Sequence, residues 1–129
     1  MKKKNVLLVD DDQVFNLLNK KTLQTLDIIG EIHTARNGSE ALELINEYYL
    51  KSRALPEIIL LDINMPIMDG FGFIEAFYRL QLPNLEKTLI IVVTSSENPR
   101  DLDRAKALGI QSYLNKPLTV DDLRTALGH

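Results

Sequence analysis

Short apolar runs and longer amphipathic segments follow one another along the whole chain. Each apolar run is bounded by polar or turn residues, which is typical of a β-strand, and each longer segment repeats apolar residues three and four positions apart, which is typical of a helix packed on one face. The pattern predicts five strands, each followed by a helix. The predicted strands cover residues 6–9, 28–35, 58–61, 89–93 and 110–114.

The composition of the strands indicates how they are covered. Residues 6–9, 58–61 and 89–93 are nearly continuous Val, Ile and Leu, as expected for strands that are buried on both faces of a parallel sheet. Glu31 and His33 interrupt the second strand, as in an edge strand. Strands that alternate with helices predict an α/β protein with a doubly wound, five-stranded parallel sheet and helices on both faces.

Turn and capping residues mark several helix ends. Asn98 before Pro99 predicts a helix start, and Thr119 followed three residues later by Asp122 resembles a weaker capping box. We predict a turn at residues 37–38 (Asn-Gly) and a helix end at residues 108–109 (Leu-Gly). The spacing in the first helix predicts a buried face made of four residues: Phe15, Leu18, Thr22 and Leu26.

Length and composition limit the class of protein. The chain has 129 residues, of which 45% are hydrophobic and 26% charged, so a single domain over residues 1–129 with a core at about 5–127 is expected. Its net charge of −3 lacks the basic field that drives nucleic-acid binding. The absence of cysteine excludes disulfides and thiolate sites and fits a reducing compartment. No apolar run is long enough for membrane insertion, so we expect a cytoplasmic protein.

Polar residues with distinct chemistry follow four of the five predicted strands. Residues 10–12 (Asp-Asp-Asp) follow the first, Asp62 follows the third, residues 94–96 (Thr-Ser-Ser) follow the fourth, and Lys116 comes shortly after the fifth. Because the carboxyl ends of parallel strands lie at one edge of the sheet, these groups are expected to converge there.

A cluster of carboxylates at one edge needs a counter-charge. Two unit charges about 4 Å apart at an effective dielectric near 20 repel by about 4 kcal/mol. Lys116 supplies one positive charge, and an all-oxygen set selects a hard divalent cation such as Mg²⁺, Mn²⁺ or Ca²⁺. Together with the Thr94 hydroxyl, this set suits phosphoryl chemistry, and Asp62 at the end of the central strand is the best candidate for the nucleophile.

Four segments of the chain, in order and at matching spacing, resemble the receiver domain of two-component response regulators. They are Val9-Asp10-Asp11, residues 60–70 (LLDINMPIMDG), Val93-Thr94-Ser95 and residues 113–117 (YLNKP). The resemblance runs from about residue 5 to residue 127. It implies a flavodoxin-like (βα)5 fold with strand order 2-1-3-4-5.

The resemblance also implies a phosphorylation site and a metal site. Asp62 would accept a phosphoryl group from a sensor histidine kinase or a histidine phosphotransfer domain. Mg²⁺, with Mn²⁺ as a possible substitute, would be held directly by Asp11, through water by Asp10, and by Asp62 and the backbone carbonyl of Asn64.

Further roles are implied near the last two strands. Lys116 would pair with a phosphoryl oxygen, and Thr94 would turn its hydroxyl toward the same group. Tyr113 would be the aromatic switch residue that turns inward when Thr94 moves, and the bond before Pro117 would be cis. Two residues would tune the rate of dephosphorylation: Asn64 and Ser96.

The resemblance implies a signalling switch rather than an enzyme, one that catalyses only its own phosphorylation and dephosphorylation. A protein target would bind the face formed by the fourth helix, fifth strand and fifth helix, and no output domain or direct contact with nucleic acid is expected. A phosphorelay shuttle and a receiver excised from a larger regulator or hybrid kinase are alternatives. A haloacid-dehalogenase-like phosphatase is disfavoured because Asn64 stands where such enzymes carry a second Asp, and a degenerate receiver is disfavoured because the acceptor, metal and lysine positions are all present.

Overall fold

A computed structural model describes residues 3–128, so residues 1, 2 and 129 of the predicted domain lie outside the described residues. Strands and helices alternate through this range. The strands are β1 (Lys4–Val9), β2 (Ile29–Ala35), β3 (Ile58–Leu61), β4 (Leu89–Thr94) and β5 (Ser112–Asn115). The helices are α1 (Gln13–Gln24), α2 (Gly38–Ser52), α3 (Gly70–Tyr78), α4 (Pro99–Ala107) and α5 (Val120–Leu127), with a 3₁₀ turn at Leu85–Lys87.

The five strands form one parallel sheet in the order β2-β1-β3-β4-β5. This confirms the predicted fold class and strand order. Val9 pairs with Leu61, so the last residues of β1 and β3 are in register, and Leu61 pairs with Val92, two residues before β4 ends. The residues that follow these strands therefore emerge at the same edge.

The core lies in two layers, one on each face of the sheet. Alternate residues of β1, such as Leu7 and Leu8, enter opposite layers, because successive side chains of a strand point to opposite faces. Phe73 and Phe77 of α3 pack in one layer, and Leu23 of α1 packs in the other. Burial on both faces explains why the central strands contain almost only apolar residues.

The buried face of α1 differs from the prediction. Asn16, Asn19 and Leu23 are buried, whereas Leu18 is 50% exposed. The helix begins where Asp12 accepts hydrogen bonds from the first-turn amides, and this start directs position 16 toward β1. There the Asn16 side chain donates to the Asp10 carbonyl at 2.9 Å, so a polar residue occupies a buried position that the apolar pattern could not reveal.

The first, second, fourth and fifth strands differ from their predicted bounds by one or two residues, and one predicted turn is a helix cap. The fifth strand begins at Ser112, not at residue 110, because the amide of Ile110 donates to the Ala105 carbonyl and so closes the end of α4. Asn37 does not form an isolated turn. It caps α2, and its side chain accepts a hydrogen bond from the Glu40 amide at 2.9 Å.

The other capping predictions are confirmed. The Asn98 side chain accepts a hydrogen bond from the Arg100 amide, with Pro99 in the first turn of α4. The Thr119 hydroxyl oxygen accepts one from the Asp122 amide. Gly109 ends α4 with a φ of +87°, a conformation that glycine adopts without steric cost. Across residues 3–128, no helix has both the length and the apolar character that crossing a membrane requires.

Candidate functional site at the carboxyl edge of the sheet

Three carboxylates meet where β1 and β3 end. Each of Asp10, Asp11 and Asp62 offers a carboxylate oxygen, and these atoms all lie within 4.8 Å of one another. Asp10 and Asp62 are buried, and Asp11 is exposed. The pairing of Val9 with Leu61 explains the approach, because the next residue of each strand leaves the sheet at the same level.

Lys116 enters this cluster from the end of β5. Its Nζ lies 2.6 Å from Asp10 Oδ2 and 3.4 Å from Asp62 Oδ2, and its side chain is only 8% exposed. The Lys116 amide donates to the Thr94 carbonyl at 2.9 Å, which ties the lysine backbone to β4, and the bond between Lys116 and Pro117 is cis. One ammonium thus faces three carboxylates, and an excess of negative charge remains.

Burial and pairing change the titration of two of these groups. Burial raises the pKa of Asp10, although the hydrogen bonds from Lys116 and from the Asp12 amide oppose the rise. Burial alone would lower the pKa of Lys116, but its hydrogen bond with Asp10 and the negative charges of Asp62 and Asp10 outweigh that effect and raise it. The ammonium therefore keeps its charge at neutral pH.

The donor set fits a hard divalent cation. All three clustered side chains offer oxygen, with no nitrogen or sulfur ligand among them, and the exposed Asp11 leaves one side open to solvent. Mg²⁺ and Mn²⁺ prefer such sites, and Mg²⁺ commonly keeps several water ligands beside one or two carboxylates.

The loop between β3 and α3 is fixed at both ends beside Asp62. The Gly70 amide donates to the Ile63 carbonyl, and the Gly38 amide of α2 donates to the Met68 carbonyl, each at 3.0 Å. Asn64 lies in the exposed part of this loop, and its backbone N–H donates a hydrogen bond to Asp62 Oδ1 at 3.4 Å. The segment after the central carboxylate is therefore anchored by neighbouring elements.

A second polar cluster lies at the ends of β4 and β5. The fully buried Thr94 accepts a hydrogen bond from the Ser96 amide at 3.1 Å, and the Ser96 hydroxyl donates to Asp101 Oδ2 at 2.5 Å. The Tyr113 hydroxyl is buried and has no hydrogen-bond partner among the described residues. Burial and the nearby charge of Asp101 raise the pKa of Tyr113.

The structure thus divides the predicted site residues into groups. Asp10, Asp11, Asp62 and Lys116 come together, whereas Thr94, Ser96 and Tyr113 form the neighbouring cluster. Asn64 and Pro117 are exposed at the rim. Three contacting residues were not predicted from the sequence: Phe15, Asn16 and Asp101.

The missed residues share one property, which is that only three-dimensional packing reveals them. The centre of the Phe15 ring is 4.2 Å from Lys116 Nζ, although the two residues come from opposite ends of the chain. Asn16 and Asp101 are ordinary helix residues in the sequence, and their contacts depend on the direction in which α1 and α4 leave their caps.

Comparison with known proteins identifies related sequences over nearly the whole chain. A sequence profile described as "Response regulator receiver domain" matches residues 6–128. A probable methanogenesis regulatory protein from Methanothrix harundinacea is 32% identical over 92% of this chain and 76% of its own length. A probable chemotaxis protein from Rhizobium etli is 30% identical over 95% of this chain and 88% of its own.

Solved structures show the same arrangement. A two-component response regulator from Cytophaga hutchinsonii superimposes with a TM-score of 0.88 and 33% identity, covering 99% of this chain and 96% of the other. The Mn²⁺-bound form of the response regulator Rcp1 superimposes with a TM-score of 0.76 and 30% identity, covering 97% and 90%. These likenesses extend through all five strands and helices.

Proposed function

This chain belongs to the response regulator receiver domain family, and from that membership we propose that it is a phosphoryl-accepting switch whose acceptor is Asp62. Receiver domains accept phosphate from histidine kinases, regulate downstream effectors and are generally not classed as enzymes. The observation that carries the proposal is the buried Asp62 carboxylate beside Lys116, within 4.8 Å of two further carboxylates.

The proposed reaction is an in-line transfer to a carboxylate. An oxygen of Asp62 forms a bond to the phosphorus of a phosphohistidine donor while the phosphorus–nitrogen bond breaks, and the electron pair leaves with the imidazole nitrogen. Lys116 supports this step, because its ammonium already lies 3.4 Å from Asp62 and can pair with a phosphoryl oxygen.

Four groups would hold the divalent cation in this proposal. They are the carboxylates of Asp10, Asp11 and Asp62 and the backbone carbonyl of Asn64, with Asp10 acting through water. When bound, Mg²⁺, or Mn²⁺ in its place, neutralises charge on the carboxylates and the phosphoryl oxygens.

The output of the switch would be a change in the second cluster. A phosphoryl group adds roughly −1.5 to −2 charge at the end of β3. The Thr94 hydroxyl would move toward that group and give up its hydrogen bond with Ser96, and Tyr113 would settle inward behind it. We propose that this shifts the α4–β5–α5 face toward the state that binds a protein target.

The proposal includes the setting of the switch. Residues 1–129 would act as one receiver domain in the cytoplasm, and the cysteine-free sequence is compatible with a reducing compartment. The donor would be a sensor histidine kinase or a histidine phosphotransfer domain, and nucleic acid would not be contacted directly. Passing the phosphoryl group onward, as a relay shuttle does, would use the same acceptor, and Asn64 and Ser96 would tune the lifetime of the phosphate in either case.

The test is intact-mass spectrometry after incubation with acetyl phosphate, with and without Mg²⁺. The wild type should gain one phosphoryl group only when Mg²⁺ is present, and Asp62→Asn should gain none. Asp103→Asn, which changes an exposed carboxylate of α4, is the matched control and should behave as the wild type does. An adduct that persists in Asp62→Asn would mean that another residue is the acceptor.

A further inference from the structure

Lys116 touches an aromatic ring as well as carboxylates. Its ammonium lies 2.6 Å from Asp10 and 3.4 Å from Asp62, and the centre of the Phe15 ring lies 4.2 Å away. An ammonium has three N–H groups, and the carboxylates account for two directions. The ring covers a third direction, which leaves the side chain only 8% exposed.

The contact has the geometry of a cation–π interaction. A cation within about 6 Å of a ring centroid is attracted by the negative face of the ring, and the attraction strengthens when water is excluded. Here the Lys116 side chain is almost completely buried, whereas the Phe15 ring is half-buried. Phe15 therefore favours one position of a side chain that has four rotatable bonds.

The segment before α1 sets the position of the ring. The Asp12 amide donates to Asp10 Oδ1 at 2.9 Å, and the Asp12 carboxylate in turn accepts from the Val14 and Phe15 amides. These hydrogen bonds connect a carboxylate that contacts Lys116 to the backbone of Phe15, the residue whose ring covers Lys116. The first turn of α1 is thereby fixed to the site.

We propose that Phe15 is a positioning residue for phosphoryl transfer, whose ring holds the Lys116 ammonium between Asp10 and Asp62 before the phosphoryl group arrives. The inference rests on the proposed function of Asp62. Catalytic groups that are positioned in advance need no rearrangement during the reaction, so loss of the ring should slow phosphorylation rather than abolish it.

The experiment measures the rate of Mg²⁺-dependent phosphorylation by acetyl phosphate, using rapid quench and intact mass. We expect Phe15→Leu, which keeps an apolar side chain but removes the ring, to slow the rate about 3- to 10-fold. Phe15→Tyr keeps a π face and should stay within about twofold of the wild type. Leu17→Ala, an exposed residue of the same helix, is the matched control and should leave the rate unchanged.

A second series separates the ring's electrostatics from its packing. Fluorinated phenylalanines at position 15 keep the shape of the ring but progressively weaken the negative potential of its face, on which cation–π attraction depends. The logarithm of the rate should fall steadily with each added fluorine. This series also keeps the proposal testable if Phe15→Leu fails to fold.

The possible outcomes distinguish the inference from the proposed function. If the wild type forms no adduct, the proposed function fails. If it forms one but Phe15→Leu is equally fast, or the fluorinated series is flat, Phe15 only packs against its neighbours and the inference fails. Mg²⁺ affinity, measured by calorimetry, should stay constant across the series, and a parallel loss of affinity would assign the effect to the carboxylates and overturn the inference.

Discussion

At the scale of single residues, the site depends on ionisable side chains that are buried and paired with one another. Lys116 is nearly buried, yet the neighbouring carboxylates raise its pKa, so it remains a cation at neutral pH. For Lys116 the effect of pairing outweighs the effect of burial, whereas for Asp10 burial outweighs pairing. Burial therefore raises the pKa of the Asp10 carboxyl even though Lys116 is paired with it. Removing one member of such a buried pair leaves a partner without compensation, which is costly.

Ile67 is strained in a different way. Its φ is +69°, and the Met68 amide donates a 2.7 Å hydrogen bond across it to the Pro66 carbonyl. This is the geometry of a tight γ-turn, which is strained for any residue with a Cβ atom and more so for a β-branched one. The Ile67 side chain is 85% exposed. Because so little of its side chain is buried, packing does not offset the strain.

We therefore expect Ile67→Gly to raise the free energy of unfolding by about 1 kcal/mol, because a left-handed conformation costs non-glycine residues about 1–2 kcal/mol. Ile67→Ala, which keeps the Cβ atom but removes the β-branch, is the control and should give a smaller gain. Urea denaturation measures both. Equal stability of the two variants would show that the strain at this position is negligible.

At the scale of elements, hydrophobic patterning predicts the strands and helices better than the faces they present. The apolar runs of β1, β3 and β4 identify strands covered on both sides, because such strands have no polar alternation. The buried face of α1 could not be predicted in the same way, since the hydrogen bond of Asn16 to the Asp10 carbonyl exists only after the helix has docked. For the same reason the sequence indicates which groups gather at the carboxyl edge, but not that the Phe15 ring lies over Lys116.

The docking of α3 against β3 gives the element-scale prediction. A Cβ atom at Gly70 would lie 2.6 Å from the Asp62 carbonyl oxygen and 2.7 Å from the Ile63 Cα, both backbone atoms. We expect Gly70→Ala to push α3 outward, to lower the free energy of unfolding by about 1–3 kcal/mol and to slow phosphorylation by shifting Asp62.

Gly72 in the same helix is the control for that change. A Cβ atom there would lie 3.3 Å from Cγ of the flexible Met68 side chain and 3.5 Å from Asp69 Oδ1, so it would meet no backbone atom at close range. Gly72→Ala should therefore be neutral or stabilise the helix by up to about 1 kcal/mol. Urea denaturation and intact-mass kinetics compare the two variants, and similar losses in both would contradict the role given to close packing at Gly70.

At the scale of the whole molecule, the parallel sheet concentrates negative charge at one edge. Asp10, Asp11 and Asp62 face a single ammonium, and folding brings Asp62 close to the other two, so the folded state carries repulsion that the unfolded chain does not. A ligand that binds only the folded state stabilises it by mass action. Metal binding and folding stability should therefore be coupled.

We expect Mg²⁺ at about 100 times its Kd to raise the free energy of unfolding of the wild type by about 2.7 kcal/mol. Asp11→Asn should lose most of this gain, yet match or exceed the wild type without Mg²⁺, because it removes a repelling charge. Urea denaturation at constant ionic strength measures both, with Asp103→Asn as the control that keeps the Mg²⁺ response. An undiminished gain in Asp11→Asn would remove that residue from the proposed metal site.

The pairing of Lys116 with Asp62 also affects when the charge balance of the site is completed during synthesis on the ribosome. The lysine lies 54 positions after the aspartate that it contacts, so translation completes the acidic residues long before it supplies their cationic partner. Domains generally fold as units while the chain emerges, and β5 is the last strand to be made. Until that strand joins the sheet edge, Asp10 and Asp62 of a nascent chain lack the Lys116 ammonium as a partner, so we expect the charge balance of the site to be completed last.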